Sequence, residues 1–427
     1  MAARTPRVTT AVPTELPEAG MLGRCVSTEP GVFAAEYWGC KPLLSRHTAL
    51  PRDFSDLLSP SAVDGLISER GVRAPFIRMA KTGNVLARSC YTAPAGFGAE
   101  MPDQVDSAKV LAEFAAGATI VLQGLHRLWP PLIDFVRGLT DDLGHPVQAN
   151  AYITPPDAQG FEPHYDVHDV FVLQVAGEKR WTVHDPVHQH PLDSQPWTEH
   201  RDAITARIRD APAIDTVLQA GDALYLPRGW VHSARSLDST SIHMTIGVSA
   251  LTYLDVVRAV VDTLTADEEF RKSLPLGIDA ADRDEMASTA SKVMVQLADT
   301  VRDRVADLSD RAAAHLSDRH AERTRPVAVR PLATLDAMAA AGSLPVRWRH
   351  GLIGTLEHLG EQVHLRLPDR AITFPKSCAT PLEALQRGLV ADAESLPGLD
   401  HADSEVLIRR LLREAVVVSA GDGTAQG

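Results

Sequence analysis

Hydrophobic and polar positions change rhythm twice along this chain. From about residue 20 to 255, short apolar runs alternate with Pro- and Gly-containing breaks, as in APFIRMAK, ATIVLQGL, VQANAYITPP, DVFVLQVAGEKRWTVHDP, DTVLQAGDALYLPRGWVHSA and TSIHMTIGVSAL. β-Branched and aromatic runs of roughly 4–8 residues between turn residues predict strands, and several in succession predict a β-sandwich or barrel. VAGEK and QAGDA predict hairpin turns, with Gly177 and Gly221 supplying the positive φ such turns need.

From about 256 to 325 the period becomes helical. Val293, Leu297, Val301, Val305, Leu308 and Leu316 form an apolar stripe with Asp and Arg between them. Periodicity does not identify what covers it: its own domain and a second copy of the chain fit equally. Beyond RTRPVAVRP, LATLDAMAAAG and GLIGTLEHLG predict short helices, QVHLRLP and AITFP a small hairpin, and SEVLIRRLLREAVVVSA a last helix running into a strand. Short helices with a two-stranded wing resemble a winged helix. Residues 331–427 hold 9 Lys/Arg against 12 Asp/Glu, so no basic face is assured and a protein contact is favoured over DNA.

Composition narrows the picture further. With 427 residues the chain exceeds one ordinary core, and its net charge of −13 argues against general nucleic-acid binding. No apolar run is long enough for a bilayer, and MAARTPRVTTAVPTELPEAG lacks a signal-peptide core, so residues 1–20 are expected to be a flexible tail. Cys25, Cys40, Cys90 and Cys378 are scattered, which points to a reducing cytoplasm.

The chemistry concentrates in FEPHYDVHDVFVLQVAGEKRW. On a strand, His164 and Asp166 project from one face, and His232 follows 68 positions beyond His164 in LPRGWVHSA. Two imidazoles and one carboxylate make the facial triad of non-haem iron(II) oxygenases, with open positions left for cosubstrate and O₂. Alternation puts Lys179, Trp181 and Val183 on one face and Arg180 on the other. Lys179 therefore offers a cation of the right sign for a dicarboxylate, although a solvated lysine in the EKR turn fits the same residues. Asn150 and Tyr152 share a face, as do His243, Thr245 and Gly247; both sets suit oxygen-rich ligands, and a polar strand edge is the plain alternative. Thr245 is expected near the cosubstrate and His243 beside the metal. His168, His184, His188 and His190 follow no ligand spacing and read as loop histidines.

HYDVHDVFVLQVAGEKRW followed by GDALYLPRGWVH resembles the JmjC-type ribosomal oxygenases, a branch of the cupin superfamily. The resemblance extends over nearly the whole chain. It implies an α+β architecture: a double-stranded β-helix catalytic domain over 21–255, a helical dimerisation segment over 256–325, and a winged-helix-like domain over 326–427. It further implies Fe(II), 2-oxoglutarate and O₂, with a metal at His164, Asp166 and His232. Lys179, fifteen positions after the first metal histidine, would grip the distal carboxylate of 2-oxoglutarate, and Asn150, Tyr152 and Thr245 would contact the cosubstrate. Arg78 resembles a position near the substrate cleft; an ion pair would explain it as well. The implied partners are a ribosomal protein, hydroxylated on histidine or arginine, and a second copy of the chain. Demethylation, a small-molecule or peptide natural-product substrate, and a non-catalytic metal-binding cupin remain the alternatives.

Overall fold

The computed structural model describes residues 20–81, 83–98 and 100–421. The expected N-terminal tail lies outside them except for Gly20. The chain divides into two compact units, 1–250 and 251–427, so the helical segment and the C-terminal elements group together.

The strands of the first unit are β1 (Leu43–Ser45), β2 (Ile77–Lys81), β3 (Asn84–Val85), β4 (Thr92–Ala93), β5 (Gln104–Val105), β6 (Thr119–Leu122) and β7 (Val147–Thr154). They continue with β8 (Asp169–Ala176), β9 (Lys179–His184), β10 (Ile214–Leu218), β11 (Ala223–Leu226), β12 (Val231–Ser236) and β13 (Ser241–Val248). An eight-stranded sheet runs β1-β11-β8-β13-β7-β6-β2-β3, a three-stranded sheet runs β10-β9-β12, and β4 pairs β5.

Alternation explains how the two larger sheets pack. On β7 the buried Val147, Ala149, Ala151 and Ile153 join one large core, as do Ile242, Met244, Ile246 and Val248 on β13 and Phe171, Leu173 and Val175 on β8. Helix Pro130–Leu143 closes that core with Leu132, Phe135, Val136 and Leu139. The opposite faces of β8 and β11, through Val170, Val172, Leu224 and Leu226, meet Trp181, Val183 and Leu218 of the smaller sheet in a second core. Fully burying each such side chain contributes about 1.5–3 kcal/mol, which makes register at these strands costly to change.

Two turns differ from the sequence expectation. VAGEK joins β8 to β9 and QAGDA joins β10 to β11, and in both cases the flanking strands belong to different sheets. They are arches between sheets and not hairpins; a tight positive-φ glycine serves either purpose, and strand pairing alone distinguishes them. Gly177 has φ 63°, and a Cβ there would stand 2.1 Å from the Thr240 carbonyl oxygen.

In the second unit, helix Tyr253–Thr263 packs against helix Val305–Arg323. The expected stripe is divided by a break at Arg304, which ion-pairs with Asp267 and Asp307. Below the break Leu308 and Ala312 are buried; above it, helix Arg283–Asp303 buries no residue, and Val293, Met294 and Val295 are exposed. A separate core from Ala337 to Val417 gathers helices Pro331–Ala339, Ala379–Gln386 and His401–Arg413. GLIGTLEHLG, expected as a helix, instead supplies strand Thr355–Leu359, the outer member of a three-stranded sheet with Gln362–Arg366 and Ala371–Pro375. Gly360, at φ 62°, turns that strand into the next; the Leu spacing imitated a helix while the glycines punctuated a sheet.

Replacing Gly177 with alanine forces an L-residue into left-handed backbone against a carbonyl. The strain alone costs about 1–3 kcal/mol. Denaturant unfolding of Gly177→Ala is expected to show at least that loss, whereas Gly360→Ala, with open space around it, should lose less.

Candidate metal and dianion site

The strand faces turned away from the large core converge on one cluster. His164, Asp166 and His232 each present a ligand atom within 4.8 Å of the others, and among the described residues they form the one such group. His164 does not lie in a long strand. It makes an isolated antiparallel bridge to His232 at the start of β12, with His164 N donating to His232 O at 3.1 Å and His232 N to His164 O at 2.8 Å. Gly229 N donates to Asp166 O at 3.0 Å, tying the carboxylate's segment to the loop before β12.

Ring orientation is fixed locally. His164 Nδ1 lies 2.7 Å from the Glu162 carbonyl and His232 Nδ1 lies 3.0 Å from that of Trp230. Carbonyls only accept, so both Nδ1 atoms carry the proton and both Nε2 lone pairs are available. His232 Nε2 stands 3.7 Å from Asp166 Oδ2. Burial pulls the His232 imidazole down to about 4, with His164 adding to the shift, so it is neutral near pH 7. Burial pushes the Asp166 carboxyl up, but His168, His164, His232 and Arg78 outweigh it and hold it below the ordinary range. Two imidazoles, each braced at Nδ1 by a carbonyl, and one carboxylate fit a divalent first-row metal with positions to spare.

Behind the triad lies a narrow cavity lined by Tyr152, Thr154, Lys179, Trp181, His243 and Thr245 as well as the three cluster residues. Lys179 is 4% exposed, while Arg180 faces outward and pairs with Asp215 at 2.6 Å. The ammonium donates to Thr154 Oγ1 at 2.9 Å and sits 3.5 Å from His243 Nδ1, and no carboxylate pairs with it among the described residues. Burial lowers it to about 7. A lysine placed in this way offers a cation to an anion entering the cavity.

His243, expected beside the metal, lies at the Lys179 end, stacked on Tyr152 with ring centroids 5.0 Å apart and held neutral by burial and by the lysine charge. Tyr152 and Thr245 border both this cavity and a neighbouring one. Asn150 lines the neighbouring one, where its Oδ1 accepts from Gly124 N at 3.0 Å. Burial raises the Tyr152 phenol, which therefore stays protonated. Of the other histidines, His184 is a buried β9 residue and not a loop residue, and His188 stacks on His200 at 4.8 Å. Sequence reading missed Thr154, Phe161 and Trp197; alternation from Tyr152 along β7 reaches Thr154, but nothing local marks the two aromatics.

A family model described as the JmjC domain matches residues 136–256. Over 139 residues the chain is 39% identical to the bifunctional lysine-specific demethylase and histidyl-hydroxylase NO66 of Drosophila persimilis, covering 31% of this chain and 19% of that protein. It is 34% identical over 172 residues to ribosomal oxygenase 1 of Rattus norvegicus, covering 38% of this chain and 28% of that one. The chain thus spans less than a third of the length of these relatives. Among solved structures, the YcfD ribosomal oxygenase of Escherichia coli, in complex with cobalt and 2-oxoglutarate, aligns over 93% of this chain and 99% of that one, with TM-score 0.50 at 16% identity; that likeness bears on the fold. The strand layout and the matched segment define an α+β protein with a JmjC domain of the cupin class. Over that segment the chain is similar to the ribosomal oxygenases.

Removing the one carboxylate of the cluster leaves two imidazoles. Anaerobic titration of Asp166→Ala with Fe(II) or Co(II) is expected to show at least a tenfold weaker Kd than the parent, in keeping with loss of a charged ligand. His188→Ala, remote from the cluster, should bind metal unchanged.

Proposed function

We propose that this chain is an Fe(II)- and 2-oxoglutarate-dependent oxygenase that hydroxylates a protein side chain, with a ribosomal protein as substrate and the cytoplasm as its place of action. The observation that carries the reading is the pairing of a two-imidazole, one-carboxylate triad with a buried lysine that no carboxylate pairs among the described residues, across one cavity. His164, Asp166 and His232 would hold the iron. Lys179, with Thr154 beside it, would take the far carboxylate of 2-oxoglutarate, and Tyr152 and Thr245 would donate to oxygens along its length; Asn150 would steady the wall beyond them. When bound, Fe(II) with 2-oxoglutarate and O₂ supplies hydroxylation: one oxygen atom enters the C–H bond, the other enters succinate, and CO₂ leaves. The protein's part is to hold the reacting carbon close and to keep water out, which Trp181 and the second core behind it serve. Names of the relatives include histidyl hydroxylation and lysine demethylation, both of which this chemistry permits. The net charge of −13 would steer basic ribosomal proteins toward the enzyme. We also propose a homodimer through the exposed face of helix Arg283–Asp303, and a winged-helix-like role in protein contact for the C-terminal elements.

Lys179→Ala leaves a buried carboxylate unpaired, at a cost of about 2–5 kcal/mol. Succinate formation should then require at least tenfold more 2-oxoglutarate while metal binding persists, and Arg180→Ala should change little.

Lys179 also sets a pH dependence. Below about pH 7 it is already protonated when empty, so the dianion binds without taking up a proton. Above that, each binding event must capture one, so affinity should fall by up to about tenfold per pH unit. Calorimetry from about pH 6 to about pH 9 is expected to show a flat Kd turning upward near 7, and a flat line throughout in Lys179→Ala.

For assembly, Leu297→Asp with Val301→Asp would place unpaired charge in an apolar seam. Light scattering should report a dimer for the parent and a monomer for the double variant.

A further inference from the structure

A second cleft opens beside the metal cluster and meets the Lys179 cavity only at Tyr152, Asp166 and Thr245. Its volume of about 380 Å³ lies within the roughly 300–1,000 Å³ that ligand sites occupy. Lys179 is absent from its wall, so whatever enters is held by other groups.

Those groups are mostly donors. Arg78 enters from β2 and Arg127 from the short helix Leu125–Arg127, and neither makes an ion pair among the described residues. Arg78 and His168 each bury a nitrogen, Nε and Nδ1 respectively, that has no hydrogen-bond partner among the described residues. Asn150 gives its Oδ1 to Gly124 N, which leaves the amide NH2 to face elsewhere. His126 accepts from Ala149 N at Nδ1, 3.1 Å away, so its proton sits on Nε2. Against these donors the lining holds one carboxylate, Asp166, which is part of the metal cluster. The chain carries 55 Asp/Glu against 42 Lys/Arg, so a cleft with two unpaired guanidiniums and no spare carboxylate runs counter to its composition.

A guanidinium fork matches the two oxygens of a carboxylate, and amide donors beside it add to the grip. Among unmodified protein side chains only aspartate and glutamate supply such an anion. Arg78, Tyr152 and Asp166 also border the cleft past Phe161 and Trp197, so the two openings adjoin at the metal cluster. A polypeptide crossing the cluster therefore has its target residue over the ligands and a neighbour in reach of the guanidiniums. Extended chain advances about 3.3–3.6 Å per residue, which limits that neighbour to about four positions from the target. The net acidic chain steers a basic protein from afar, and the charges inside the cleft sort its segments at contact.

We propose that this cleft is a carboxylate subsite in which Arg78 and Arg127 seat an aspartate or glutamate side chain of the protein substrate, within about four residues of the carbon that is hydroxylated. The proposal rests on the protein-hydroxylase reading above and adds what the flank of its substrate must carry.

For the test, the full chain with Fe(II), 2-oxoglutarate and O₂ is incubated with ribosomal proteins from cells lacking the gene, and mass spectrometry locates the residue that gains oxygen. An aspartate or glutamate within about four residues of it supports the proposal. A modified residue with no such neighbour overturns it and leaves the protein-hydroxylase reading standing. If no protein gains oxygen, that reading falls and the proposal with it. Peptides of the modified segment, with the acidic residue kept or changed to its amide, then give a ratio of kcat/KM expected to exceed about tenfold in favour of the acid. In Arg127→Gln that ratio should fall to about threefold or less, and Arg78→Gln should lower it as well. Each ratio is read on one preparation, so it does not depend on how much of a variant folds. The 2-oxoglutarate requirement and the anaerobic Co(II) affinity of Arg127→Gln should match the parent, which separates a substrate subsite from a second site for the cosubstrate. A parent ratio near one, or a ratio that Arg127→Gln leaves unchanged, overturns the proposal.

Discussion

The antiparallel bridge between His164 and His232 is the contact on which the site depends. Two backbone hydrogen bonds hold together segments far apart in sequence, and each imidazole is then aimed by a carbonyl two residues away in its own segment. Because the aim is local and the meeting is made by backbone, the ligand atoms converge with no side chain needed to push them together. Asp169 reinforces the arrangement from below: it is buried, accepts from Tyr225 and from Arg228 N, and so fixes the loop that leads into β12. The cost of that buried acid appears in its carboxyl, which burial raises despite Arg228 beside it.

The strands that carry this site serve two purposes at once. In β7 and β13 one alternate set of residues is wholly apolar and enters the main core, while the other set is polar and faces the cavity. Pairing brings Thr245 opposite Asn150 and His243 opposite Tyr152, so cavity-side residues become neighbours through register. A slip by one residue would exchange the two sets, burying the polar row and emptying the cavity. Stability and site geometry are thereby enforced by the same hydrogen bonds.

How much of this was legible in the sequence follows from distance along the chain. Lys179, Asn150, Tyr152 and Thr245 could be picked out because alternation within a strand is a local property, whereas His164 and Asp166 were marked by residue type and spacing in a segment that forms only an isolated bridge. The placing of Lys179 inward and Arg180 outward likewise needed only a period of two. What was not legible depended on pairing partners. The arches at Gly177 and Gly221 read as hairpins because the same backbone conformation serves both, and the strand at Thr355–Leu359 read as a helix because its leucines stand four and three apart. His243 was placed by strand face alone, and its 3.5 Å approach to Lys179 joins β13 to β9 of the other sheet, which alternation within one strand does not reveal.

Lys179 also bears on how long the chain lasts. Its ammonium is lowered from 10.5 to about 7 by burial, so the folded state disfavours the protonated form that an unfolded chain prefers. The sign is that of a penalty, full below about pH 7 and fading as pH rises toward 10.5. A dianion seated against the lysine, as proposed, would relieve it and draw the population toward the folded form. Proteolytic turnover acts on the unfolded fraction, so under the proposed role of Lys179 the supply of a small dianion would be one of the things that govern the abundance of the protein itself.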